Sequence, residues 1–147
     1  MTYHDPLAQA AFEGDVAKLA RLLDAGVAIH AQDCAQPDAL HAAIENDQVE
    51  CVRLLLARGA DPNRATSGFT ALVHAVDLAI DASWQKHHAY GHESLETIMI
   101  LLQSGADPAP AIEVARRYGN ERMVSLLEDS PKRSYQAADV RLTLWRP

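Results

Sequence analysis

A helix that ends in glycine and a polar turn recurs along this chain. Residues 52–63 read Val-Arg-Leu-Leu-Leu-Ala-Arg-Gly-Ala-Asp-Pro-Asn, and residues 98–108 repeat them as Ile-Met-Ile-Leu-Leu-Gln-Ser-Gly-Ala-Asp-Pro. An earlier copy ends at Gly26, and a fourth, at residues 124–128, has no glycine turn. Glycine commonly follows a helix because it adopts the left-handed conformation without a Cβ clash. Recurrence of one helix end in a constant register predicts a stacked-repeat protein.

The composition favours helices and excludes some partners. Hydrophobic residues make up 48% of the chain but aromatic residues only 5%, since Ala and Leu supply most of the apolar fraction. The 13 basic and 20 acidic residues give a net charge of -7. This charge argues against nucleic acid as a partner and favours a protein with a basic face.

The sequence also bears on location. No apolar run approaches the roughly 18 residues that a membrane helix needs, and the N-terminus shows no signal-peptide pattern. The two cysteines, Cys34 and Cys51, suit reduced thiols better than a disulfide framework. We therefore expect a cytoplasmic protein that makes no membrane contact.

The repeat length points to a known family. Leu7 and Leu40 are 33 residues apart, as are Gly26 and Gly59. Residues 40–43 read Leu-His-Ala-Ala, and residues 68–72 read Gly-Phe-Thr-Ala-Leu. With the Gly-Ala-Asp turns, these motifs resemble the ankyrin repeat family over most of the chain. The resemblance implies an all-α solenoid of stacked helix-turn-helix units. It also implies that His41 holds a turn together and that the protein binds other proteins.

We divide the chain by this register into an ankyrin repeat domain, residues 1–128, and a tail, residues 129–147. The four repeats are expected at 5–37, 38–69, 70–109 and 110–128. In the tail, residues 139–145 alternate apolar and polar side chains, a pattern typical of a short strand. That segment could pack on the last repeat, pair with another chain or remain free.

The third repeat is longer than the others. Leu72 and Gly105 are 33 residues apart, whereas the equivalent distance is 19 in the first two repeats. The extra residues, near 78–92, keep a helical period, so we expect a prolonged first helix, a break at Tyr90–His92 and a second helix from Glu93 or Ser94. A regular solenoid does not need this insertion, which makes it a candidate for partner specificity.

No motif in the sequence indicates catalysis. The glycines occur singly, and no Ser or Cys lies in a recognisable nucleophile context. His87, His88 and His92 lie close together, and the last two have an i, i+4 spacing that can bind one metal ion. Gly91 interrupts the helix that this pair requires. We therefore expect no enzymatic activity, no cofactor and no metal, and keep a metal or small-molecule sensor as the alternative function.

The expected function is protein binding through one concave surface, lined by the first helices and the turns between repeats. Aromatic residues on an otherwise polar face are candidate anchors, because such side chains often dominate protein interfaces. A dedicated inhibitor or immunity-type protein is one specialisation that a short acidic array would suit. The residues expected to contact the partner are Glu45, Asn46, Arg64, Phe69, His74, Asp77, Trp84 and Tyr118.

Overall fold

The computed structural model describes residues 3–30, 36–84 and 92–130. Within these ranges the chain forms eight α-helices joined by turns, which confirms the predicted all-α repeat architecture. The expected strand at 139–145 and the expected helix break at Tyr90–His92 lie outside the described residues, apart from His92. The helices are α1 Pro6–Glu13, α2 Val16–Asp24, α3 Ala39–Glu45, α4 Val49–Ala57, α5 Ala71–Trp84, α6 His92–Gln103, α7 Ala109–Arg117 and α8 Glu121–Asp129.

Four of these helices begin at a short polar side chain that accepts a hydrogen bond from the first turn. Such a cap satisfies a backbone N–H that the helix itself leaves unpaired, and it stabilises by about 1 kcal/mol. Asp5, the expected first cap, accepts from the Leu7 amide at 3.0 Å. The other caps are Asp15, Asp38 and Asn120.

The recurring glycine follows the second helix of a repeat, as the sequence predicts. Gly59 has φ of +94°, and the turn is closed by bonds from the Ala60 amide to the Leu55 carbonyl at 3.0 Å and from the Gly59 amide to the Leu56 carbonyl at 3.1 Å. Gly26 and Gly105 close the same pair of bonds. This double closure satisfies carbonyls that the helix end leaves free.

The helices form two rows. The first helices of the repeats, α1, α3, α5 and α7, contact one another in that order, and the second helices α2, α4 and α6 lie behind them. Small side chains allow the first row to pack closely: Ala8, Ala11, Ala39, Ala42 and Ala43 are fully buried. The second row and α8 supply larger groups to the shared core, among them Leu19, Leu55, Leu101 and Leu127.

The end of the stack is less buried than the sequence pattern suggested. Val16, Leu19, Leu22 and Leu23 have the spacing of one apolar face of α2, but only Leu19 is fully buried and Val16 is 39% exposed. The reason is position: of the second helices, α2 contacts only α4. A terminal helix cannot bury a face that has no neighbour.

The third repeat has the longest helices in the described part of the chain. α5 has 14 residues where α3 has seven, and α6 has 12 where α4 has nine. α6 begins at His92, slightly before the expected Glu93 or Ser94. None of the described helices has the length and apolar character required to span a bilayer.

Candidate functional site

A tight turn before α5 presents an aromatic side chain to solvent. We call this turn, residues 66–69, the finger. The Thr66 amide donates to the Phe69 carbonyl at 3.0 Å, and the Phe69 amide donates to the Thr66 carbonyl at 3.1 Å. Ser67 and Gly68 both have positive φ, +53° and +86°, as in the type I′ turns that join paired strands. The Phe69 side chain is 54% exposed, as predicted for a partner contact.

His41 connects the finger to the body of the second repeat. Its Nε2 lies 3.0 Å from the Phe69 carbonyl oxygen, and its Nδ1 lies 2.9 Å from Asp38 Oδ1. Both neighbours are hydrogen-bond acceptors, so the arrangement is fully satisfied when both ring nitrogens carry a proton. The turn-holding role that the family resemblance implied for His41 is confirmed.

Asp38 is a buried carboxylate between two histidines. It is 1% exposed, and His30 Nδ1 lies 3.6 Å from its second oxygen. Burial alone raises the pKa of Asp38, but the hydrogen bonds and charge of His41, together with the charge of His30, outweigh burial and hold the pKa below its ordinary value. The Asp38 carboxylate therefore stays ionised in the interior. Its contact with His30 joins the turn that follows α2 to the start of α3.

The predicted contact residues on the first helices pair with one another across repeats. Glu45 Oε2 lies 2.6 Å from His74 Nε2, joining the second repeat to the third. The charge of Asp77, in the third repeat, raises the pKa of Tyr118, in the fourth, so these two side chains lie near each other. The Asn46 side-chain amide donates to a backbone carbonyl in the first repeat at 2.9 Å. The sequence placed these residues on one face but gave no indication that they contact one another across repeats.

The remaining predicted contacts lie elsewhere. Arg64 is half-buried in the turn that precedes the finger, and its amide donates to the Asp61 carbonyl at 3.3 Å. Tyr118 follows α7 and is 45% exposed. Trp84 is the last residue of α5, and its side chain is outside the described part of the structure. Thr66, whose backbone closes the finger, is buried.

A cleft opens beside the finger, with a volume of about 280 Å³. Its lining joins the first three repeats. Tyr3 lines one side, and its ring stacks obliquely on Phe12 with centroids 5.5 Å apart. The sequence analysis did not identify Tyr3, because it precedes the repeat pattern. The finger itself has a recognisable turn signal in the Ser67-Gly68 dipeptide. The residues that carry the shape and charge of this cleft are Tyr3, Glu45, Phe69, Val73, His74 and Asp77.

The described residues hold no candidate metal centre, since no three His, Cys, Asp or Glu side chains are grouped to bind an ion. The metal hypothesis depended on His88 with His92; His87, His88 and the His92 side chain lie outside the described part of the structure. Cys51 is fully buried with a free thiol, and burial, together with the charges of Asp15 and Glu50, raises its pKa to about 11. A thiol of this kind is a poor nucleophile near neutral pH.

Comparison with known proteins agrees with this geometry. A family profile described as ankyrin repeats (3 copies) matches residues 7–82. The fold is similar to the crystal structure of an ankyrin repeat domain from Acinetobacter baumannii AYE, with a TM-score of 0.70 and 26% sequence identity. That likeness covers 86% of this chain and 64% of the other. A comparison with curated proteins gives no match.

Proposed function

This chain belongs to the ankyrin repeat family, and we propose that it is a non-enzymatic module that binds a partner protein with the finger and the concave face of its first helices. Ankyrin repeats are generally protein–protein interaction modules, which supports the general assignment. The specific surface is an inference from the arrangement of Phe69, Glu45, His74 and Asp77 described above.

The exposed ring of Phe69 is the observation that carries this proposal. Two backbone hydrogen bonds within the finger and a third from His41 fix the position of its main chain. A large apolar side chain held in solvent gains free energy when a partner covers it. Because its backbone is already ordered, a partner pays little conformational entropy for that contact.

The cross-repeat pairs support the same surface. Glu45 with His74 and Asp77 with Tyr118 hold polar side chains in fixed places on the concave face. Exposed pairs of this kind contribute little to stability. Their value for binding lies in preorganisation, since a partner meets a surface whose side chains are already arranged.

The third repeat contributes a second element to the proposal. α5 is twice as long as α3, and the segment from about residue 82 to the start of α6 extends beyond what the other repeats require. We assign this segment, with Trp84, to partner specificity. Ala79 and Ile80 are buried in the core, so a variant that tests the insertion must retain them.

The proposal extends to a dedicated inhibitor or immunity-type protein acting in the cytoplasm. A module that carries binding residues and acts by occupying a partner's surface needs no chemistry of its own. The free thiol of Cys51 suits a reducing compartment.

Affinity capture from the source cell with matched variants tests the surface. Phe69→Ala removes the exposed ring, and Val16→Ala removes a similarly exposed apolar side chain from α2. Wild type and Val16→Ala should retain the same partner, whereas Phe69→Ala should lose at least about tenfold in affinity, roughly 1.4 kcal/mol. Equal retention by all three proteins would show that the finger is not the contact.

Replacing residues 82–91 with a short turn tests the insertion. The variant retains the core residues Ala79 and Ile80 and the whole of α6, so it should remain folded and helical. Partner binding should weaken by at least about tenfold. Unchanged binding would show that the insertion is not needed and that the concave face recognises the partner without it.

A further inference from the structure

We propose that the cleft beside Phe69 is a pocket for one cationic side chain, Arg or Lys, carried on an apolar peptide segment of the partner protein. This inference rests on the proposed binding function and adds the chemistry of the partner. The cleft combines an apolar wall with two carboxylates and contains no basic residue other than histidine among the side chains that line it.

The shape of the cleft fits a long side chain with a charged end. Phe69 and Val73 supply apolar surface, and the carboxylates of Glu45 and Asp77 contribute to the same lining. Arg and Lys place three or four methylene groups behind a cationic head, so the stem covers apolar surface while the head remains polar. A volume of about 280 Å³ accommodates such a side chain together with part of its peptide backbone.

The carboxylates keep binding capacity after their contacts within the protein. Glu45 bonds His74 through Oε2, and the charge of Asp77 acts on the nearby Tyr118 phenol. A carboxylate offers about four acceptor positions on two oxygens, so one contact leaves room for a guanidinium or ammonium group. Charge-assisted bonds of this type are roughly twice as strong as neutral ones.

Two phenols lie close to the carboxylates of the cleft: Tyr3 lines it with Glu45, and Tyr118 lies near Asp77. Burial and the charge of Glu45 raise the pKa of Tyr3. The charge of Asp77 and its hydrogen bond raise the pKa of Tyr118, with a further contribution from Asp81. Both shifts have the sign expected where negative charge disfavours a second anion and favours a cation. A nucleic-acid backbone would be repelled by the same field.

The aromatic lining favours an organic cation over a metal ion. A guanidinium or ammonium group is attracted to the face of an aromatic ring, and Tyr3 and Phe69 both line the cleft. A metal ion instead needs several ligands at short distances. Nowhere in the described ranges do three suitable ligands come together.

The chain's own tail is the competing occupant. Residues 131–147 contain Lys132, Arg133, Arg141 and Arg146 and one acidic residue, Asp139. A partner segment is the proposal, and occupation by the tail is an outcome that the experiment must separate. A full-length variant with these four basic residues replaced by glutamine serves that purpose.

A random peptide library displayed on phage, selected against the full-length protein, is the direct test. If the proposal is correct, the selected peptides should carry Arg or Lys next to apolar residues. Their affinity should fall at least about tenfold when the Arg is replaced by citrulline, its neutral isostere. The unmodified peptides should lose as much affinity when they bind the Glu45→Gln/Asp77→Asn protein. Glu50→Gln removes an exposed carboxylate from α4 and should leave binding unchanged. Circular dichroism establishes that each variant is folded.

The alternative results separate the two proposals. Peptides that require Phe69 but carry no basic residue would overturn the cation pocket and leave the binding surface intact. A selection in which no peptide depends on Phe69 or on the two carboxylates would overturn both. A tenfold gain in peptide affinity on neutralising the tail cations would show that the tail fills the cleft, and would overturn the assignment to a partner.

Discussion

The Nε2 atom of His41 lies 3.0 Å from the carbonyl oxygen of Phe69, 28 residues further along the chain. One bond thus joins the first helix of the second repeat to the finger that enters the third. Because the other ring nitrogen contacts Asp38, the exposed aromatic ring of Phe69 is anchored through the buried contact between His41 and Asp38. The stability of the fold and the proposed recognition surface therefore depend on the same few side chains.

Removing His41 should destabilise the protein strongly. In His41→Ala the buried Asp38 carboxylate loses its main partner, and loss of one member of a buried pair costs about 3–5 kcal/mol. His74→Ala removes a histidine from an exposed pair and should cost no more than about 1 kcal/mol. Urea denaturation measures both free energies of unfolding. Equal losses would mean that the Asp38–His41 pair is not a significant support of the fold.

Asp38 should make stability depend on acid pH. Its pKa in the folded protein lies below the ordinary value of 3.8, so the unfolded chain takes up the proton more readily. The contribution of Asp38 is therefore fully present above about pH 5 and is lost as pH falls through the folded pKa. The difference in unfolding free energy between wild type and Asp38→Asn should be largest near pH 7 and shrink as the pH falls below the ordinary value of 3.8 and through the folded pKa. A difference that does not change with pH would contradict this account.

Cys51 should be protected from thiol reagents in the native protein. Its pKa of about 11 leaves only a small thiolate fraction near pH 8, and the sulfur is buried. In a Cys34→Ser background, a chromogenic disulfide reagent should react at least about 100-fold more slowly with native than with denatured protein. Similar rates in the two states would indicate that α4 opens readily.

Gly14 should tolerate substitution less well than Gly119. Both have positive φ, +74° and +67°, so alanine strains the backbone at either position by about 1–2 kcal/mol. At Gly14 an added Cβ would also lie 2.3 Å from Gln48 Oε1, whereas nothing lies within 4 Å at Gly119. Gly14→Ala should therefore lower the melting temperature further, and Gln48→Ala should restore part of the loss. Identical effects of the two glycine variants would show that Gln48 simply moves aside.

The local sequence was sufficient to predict the repeats. Caps such as Asp5 and Asp38 and helix-ending glycines such as Gly59 act within one turn of chain, so their effects can be read from neighbouring residues. The period of 33 residues then placed equivalent side chains on a common face. That was enough for the all-α stack and for identifying Phe69 as exposed.

The tertiary structure decided which exposed residues are paired. Glu45 with His74 and Asp77 with Tyr118 lie in different repeats, and their contacts depend on how far each helix is rotated and shifted against the next. Tyr3 lines the cleft although it lies outside the repeat pattern. A repeat period fixes the order of helices and the face that each presents. Side-chain distances across repeats follow only from the packing of those helices, because no local rule couples residues so far apart in sequence.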